Sequence, residues 1–310
     1  MKIFVVNLTN FFVPFLFFVI IAIAIPVTPR ASKSLLFSSE KKNLLLTTVP
    51  NPRIIFVGGS NLSFGLNSQI IKDSLGMNPI NTSIHASLGL KYMMESTLKY
   101  VKESDIIILV PEYSQYHRSI NSGSEELMRI IFDVDILNLM DLSIIQIFNI
   151  IPYLPKYGMS KFKITEYFNV KESDIYSVNS FNEFGDAVSH WSLPRQEFRP
   201  YPQINTKFNP DVIKCIIQFG NELQKKNAIL LISYPGFQST SYNNSHKQIY
   251  NVQNKLEESG LFVIGKADRY KIPDSLMFNT PYHLSKNGVD YRTILLIEDI
   301  SKALKKLDYN

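Results

Sequence analysis

A single cysteine, Cys215, occurs in the 310 residues, which excludes an intramolecular disulfide framework and a cysteine-based zinc cluster. Blocks of one charge are missing too. The formal balance is only +5 and the lysines are scattered, so no nucleic-acid-binding stripe is indicated. No glycine-rich phosphate loop with its lysine is present, and no ligand cluster calls for a metal or other cofactor. Internal repeats and low-complexity tracts are absent as well. With 45% hydrophobic residues, the chain can bury the core of one large domain.

Charge disappears altogether between Ile3 and Pro29. Phe11 to Val27 is almost wholly apolar and, with its flanks, long enough to cross a bilayer as a helix, with Pro14 tolerable near its start. Ala22-Ile-Ala24 also has the small-x-small form of a signal-peptide cleavage site. Against cleavage stand an n-region holding only Lys2 and the position of Pro26 just past the cut. Residues 1–30 are therefore expected to be a transmembrane anchor or an uncleaved signal. Residues 31–51, rich in Ser, Lys and Thr, read as a juxtamembrane linker. Lys2 lies on one side of the span and Arg30, Lys33, Lys41 and Lys42 on the other, a count that does not by itself favour export of the domain beyond the span.

The rest of the chain is organised around Arg53 to Gly65. Ile54 to Val57 is a β-branched and aromatic run ending at Gly58-Gly59, as expected of a buried strand that stops at a tight turn. Ser60 comes at once after it. A helical pattern then begins at Ser68, with Ile70, Ile71 and Leu75 at helical spacing. A serine at such a hand-over is well placed as a nucleophile, because backbone N–H groups there can face an oxyanion. The alternative is a plain strand-ending turn. Near the other end, Asn279-Thr-Pro-Tyr-His283-Leu-Ser-Lys-Asn-Gly288 places a histidine in a proline-containing loop ahead of a closing helix.

Together these two stretches resemble the SGNH (GDSL-type) hydrolase superfamily, over about Ile54 to Thr293. The likeness is greatest to its membrane-anchored, envelope-polysaccharide branch. It implies Ser60 as nucleophile and His283 as base, with the catalytic domain outside the cytoplasm. By order along the chain, Gly89 is the position that would give a backbone N–H to the oxyanion hole beside Ser60. The chain departs from the pattern twice. The asparagine donor of the third block is replaced by Val110-Pro-Glu112-Tyr113, so that either the hole uses other donors, such as Asn61 or Tyr113, or Glu112 has a binding, accessory or structural task. A carboxylate there would repel an oxyanion unless protonated or turned away. The aspartate usual three or four residues before the histidine is replaced by Thr280 and Asn279. Asn279 could orient the imidazole without supplying charge, and Asp274 is the nearest upstream carboxylate. His85 and His117 read as structural or substrate-facing.

Beyond Ser60, strand and helix patterns alternate: Asn78 to His85, Leu90 to Glu103, Asp105 to Val110, Pro210 to Lys226, Ala228 to Ser233, His246 to Ser259, and Leu261 to Ile264. Crossover units of this kind predict an α/β domain over 52–310, three-layered and flavodoxin-like, with a mainly parallel five-stranded sheet. Loops at the carboxyl ends of its strands form the ligand side. Residues 124–208 read as an insertion. Amphipathic helices come first, packed on the core or lying on the membrane, then an irregular aromatic-rich loop containing Asn182-Glu-Phe-Gly-Asp186 and Trp191.

Two functions fit. One is a membrane-tethered serine esterase or O-acyltransferase, acting on acetyl or similar esters of an envelope polysaccharide through an acyl-Ser60 intermediate. The other is a degenerate SGNH domain that binds a glycan or partners a membrane-bound acyltransferase.

Overall fold

The computed structural model describes residues 2–307. It opens with α1 (Lys2–Ala24), α2 (Ser38–Thr48), β1 (Arg53–Gly58), α3 (Ser60–Ser63), α4 (Ser68–Leu75) and β2 (Asn78–Asn81). Next come α5 (Leu90–Leu98), β3 (Ile106–Val110), α6 (Glu125–Arg129), α7 (Ile144–Ile150) and α8 (Leu154–Ser160). The second half contributes α9 (Pro210–Lys225), β4 (Ile229–Ile232), β5 (Phe237–Gln238), α10 (Ser239–Asn244) and α11 (His246–Glu257). The last elements are β6 (Lys271–Ile272), β7 (Met277–Thr280), β8 (His283–Leu284) and α12 (Lys286–Leu307).

The fold is α/β with a parallel sheet in the order β2-β1-β3-β4. Every residue of β1 and β3 is buried, so the two central strands are covered on both faces, as their unbroken apolar runs require. The pairs α4 with α12 and α5 with α9 pack together, each helix turning an apolar stripe inward. The sheet has four strands where the sequence suggests five. Residues 261–264 join it only through one parallel bridge, Val263 to Ile232, because Gly265 adopts φ +71° and turns the chain away one residue past Ile264.

The first turn of the sheet is pinned by a fully buried ion pair. Arg53 Nε donates to Asp105 Oδ1 at 2.7 Å and its Nη1 to Leu46 O at 2.6 Å, so the guanidinium spends its donors on neighbours of β1 and β3. The stretch from 31 to 51 is structured rather than a loose linker. Helix α2 buries Leu46, and the buried Lys42 ammonium donates to Asn81 O (2.9 Å), Ser83 O (2.7 Å) and Gly185 O (2.5 Å). Burial pushes the Lys42 pKa down to about 7. A polar composition therefore conceals a segment docked on the core through one lysine.

The insertion is also tied in. Asp186 is fully buried and accepts from Ser68 N (2.7 Å), Ser68 Oγ (2.9 Å) and Asn81 Nδ2 (2.8 Å). The Asn182-Glu-Phe-Gly-Asp186 stretch thus clasps β2 to the start of α4.

Within α1, Val6–Ala24 has a mean hydropathy of 2.2, is mostly exposed, and is long and apolar enough to cross a membrane. Its last turns are seated. Ala22 is buried, Phe18 stacks on Phe162 with ring centroids 5.1 Å apart, and Lys161 Nζ donates to Ile25 O at 3.2 Å.

Candidate functional site

The turn after β1 can be this tight only with glycine. A Cβ on Gly58 would lie 2.7 Å from Val110 O, and one on Gly59 would lie 2.7 Å from Ala86 Cβ and 2.9 Å from Glu112 Oε1. The absence of both side chains lets β1, the loop after β2 and the loop after β3 close on one another. Ser60 emerges there as the first residue of α3, where a backbone N–H has no intrahelical acceptor.

His283 comes from the short antiparallel pair β7 and β8, in which Thr280 faces His283. Leu284 N donates to Phe64 O at 3.1 Å, hooking β8 onto the turn that succeeds α3. The His283 ring then stacks on the Phe64 ring, centroids 4.3 Å apart and 19° from parallel. Its Nδ1 lies 2.9 Å from Asn279 Oδ1 and 3.5 Å from Tyr176 Oη. Asn279 Nδ2 donates to that same phenol oxygen at 2.8 Å. An acceptor on Nδ1 places the imidazole proton there and leaves the lone pair on Nε2.

Ser60, His283, Glu112, His85, Arg118 and Tyr176 all line one cavity of about 840 Å³ at the carboxyl end of the sheet. Among the described residues no hydrogen bond joins Ser60 to His283. The Ser60 hydroxyl donates instead to Glu112 Oε1 at 3.2 Å, and Asn61 N donates to the same oxygen at 3.3 Å. Burial pushes the Glu112 carboxyl up to about 7, against the pull of its bonds from Asn61 and Ser60. Burial also drives His283 down to about 3, reinforced by the neighbouring His190 and His85. It takes His190, which bonds Leu284 O through Nε2 at 3.0 Å, down to about 4. Burial thus disfavours the charged forms of His283, His190 and Glu112 alike.

Other residues singled out from the sequence lie elsewhere. Gly89 lines a neighbouring cavity of about 360 Å³, and its N–H is spent on Ala86 O at 3.1 Å; its φ of +86° marks a turn into α5. Asn61 is buried with its side-chain amide donating to Val110 O at 3.2 Å, so both its backbone and side-chain donors are engaged. Tyr113 points into the core, its ring edge-on to Phe237 at 5.4 Å, and only its backbone takes part locally, donating to Tyr282 Oη at 3.0 Å. Asp274 accepts from Gln238 Nε2 (3.2 Å), Thr240 N (3.1 Å) and Thr240 Oγ1 (2.5 Å), which holds the start of α10 rather than the histidine. His117 is tied to Thr206 O at 2.8 Å. Trp191 carries Lys286 Nζ 4.7 Å above its ring and does not line the Ser60 cavity.

Phe64, Tyr176, Tyr201 and Arg118 complete the site without having stood out in the sequence. Tyr176 lies 103 residues before Asn279 in an irregular stretch, where no periodicity marks it. Phe64 had a usable signal, being an aromatic four residues past the candidate nucleophile. No protein-family model, curated protein or solved structure matches the chain.

Proposed function

We propose that the chain is a membrane-tethered serine esterase or O-acyltransferase that acts on acyl esters, acetyl foremost, of a cell-envelope polysaccharide through an acyl-Ser60 intermediate. The observation that carries this reading is the convergence of Ser60 and His283 on one cavity, with His283 Nδ1 held by Asn279 so that Nε2 is the free base. A neutral orienter fixes the tautomer but leaves the imidazolium without a counter-charge, so the base is weaker than in an aspartate-backed triad.

Glu112 takes the place of the family's asparagine. Its Oε1 is within hydrogen-bond distance of Ser60 Oγ, so it is not turned away, and its raised pKa supplies a neutral acid at and below pH 7. In that form it donates to the developing oxyanion together with the Ser60 N–H; as a carboxylate it repels that charge. The Ser60 hydroxyl then passes from Glu112 to the His283 Nε2 side as the acyl group binds. Tyr176 and Tyr201 on the cavity wall offer faces on which a sugar ring can stack.

The alternative, a binding module without turnover, draws on the engagement of Ser60 with Glu112 rather than with His283. Release of acetate from an aryl acetate, or its transfer to a glycan hydroxyl, compared with Ser60→Ala, decides between them. The seat that α8 provides for Phe18 and Ala22 supports a retained anchor over a cleaved signal, and the resemblance supports a domain outside the cytoplasm.

A further inference from the structure

Among the described residues outside α1, eighteen large apolar side chains are exposed, and twelve of them fall within the 33 residues from 136 to 168. A soluble surface scatters such residues singly. Helix α7 buries Ile150 and Gln146 on its inner side, while Ile144, Ile145, Phe148 and the adjoining Ile151 face outward. Their spacing puts them on one side of the helix.

The same segment grips α1. Met159 and Phe162 are exposed within or just beyond α8, the helix whose Gly158 would carry a Cβ 3.1 Å from both Ala22 Cβ and Phe18 Cε1. Phe18, which stacks on Phe162, is six residues before the end of α1 at Ala24, about 9 Å along the axis at 1.5 Å per residue. The gripping segment therefore lies alongside the apolar part of α1 rather than beyond its end. A helix spanning a bilayer brings that segment to the depth of the outer acyl chains.

We propose that residues 136–168 form a membrane-embedded foot, with the outward face of α7 and the tip around Phe162 immersed in the acyl-chain region of the bilayer that α1 crosses. This rests on the membrane anchoring of α1. The occupant of the face is lipid, because the segment that carries it also seats the apolar end of α1 through Gly158 and Phe162 and its Ile144, Ile145, Phe148 and Ile151 side chains offer no polar group to recognise a protein. The foot fixes the tilt of the α/β domain on the membrane, so the Ser60 cavity is held at a set orientation instead of swinging on a tether.

The test uses the full chain in lipid nanodiscs holding one copy each. Cys215→Ser removes the native thiol, and a fluorophore is placed by Phe148→Cys, by Phe11→Cys within α1, or by Tyr250→Cys on exposed α11. Phospholipids brominated on their acyl chains quench by contact. The foot predicts severalfold stronger quenching at 148 than at 250, approaching that at 11. Quenching at 11 with none at 148 overturns the foot and leaves the anchor standing. Quenching at neither position overturns both. Disulfide crosslinking of two copies of the Phe148→Cys variant in bulk vesicles, with no lipid quenching in single-copy discs, assigns the face to self-association and also overturns the foot.

Discussion

Asn279 Oδ1 accepts from the Nδ1–H of His283 across 2.9 Å, and it does so without a charge. The imidazole is oriented from the Nδ1 side, while Ser60 bonds Glu112 and the orienting group carries no charge. Asn279→Asp supplies the charge in place, raising the His283 pKa and accelerating Ser60 acylation roughly tenfold or more, the reverse of the large loss seen when a triad aspartate becomes asparagine. Asn279→Leu, which leaves Nδ1 without its acceptor, lowers the rate. The pH dependence of acylation, with the imidazole followed by NMR, checks both.

Glu112 gives a high-pH limb. Burial raises its carboxyl to about 7, and in the proposed mechanism the neutral form is the active one, so acyl transfer is expected to fall as pH rises through 7. Glu112→Gln keeps a neutral donor there and flattens the profile between pH 6 and 8, whereas Glu112→Ala lowers activity across it. The same shift bears on stability. A folded pKa above the unfolded value of about 4.3 means that the native state loses stability as pH climbs from there to 7. Glu112→Gln is then more stable than the parent at pH 8, by up to about 3 kcal/mol, an advantage that shrinks at pH 5. Denaturant midpoints at the two pH values measure it.

The buried histidines act in the opposite sense. His190, at about 4 when folded, titrates near 6.5 when unfolded. Its contribution is intact above 6.5 and is lost as pH falls toward 4, by roughly 2 kcal/mol at pH 5. His190→Phe, which suits a pocket between Phe64 and Phe278, flattens the acid limb of stability. Comparing it with the parent cancels the Glu112 contribution.

Gly158 is the contact point for α1, and any side chain there meets Ala22 and Phe18. Gly158→Leu overpacks this seat at a cost of about 1–3 kcal/mol. The expected result is a lower melting temperature for the full chain with the reactivity of Ser60 unchanged.

The parallel α/β pattern was legible because β1 and β3 are fully buried, and an unbroken apolar run between turn residues announces that. Ser60 and Glu112 stand in loops that follow β1 and β3, where the strand-end rule gathers loops, whereas His283 was marked by its proline-containing loop and the resemblance and stands on the same cavity. Leu261 to Ile264 is apolar enough for a fifth strand but is held to the sheet by one bridge. The docking of α2 was hidden because Lys42 looks like a solvated charge and is instead surrounded by three carbonyls. Gly89 and Tyr113 misled because order along the chain does not say where an N–H or a phenol ends up. One hydrogen bond inside a turn and one ring buried in the core removed them from the site.

Covalent labelling of the full chain with a serine-reactive fluorophosphonate, mapped by peptide mass spectrometry, is the sharpest test of Ser60 as a nucleophile served by His283. One adduct is expected, on Ser60, absent in Ser60→Ala and strongly slowed in His283→Ala. A chain that is folded by circular dichroism and takes no label at Ser60, or that labels at Ser60 equally well without His283, contradicts that assignment.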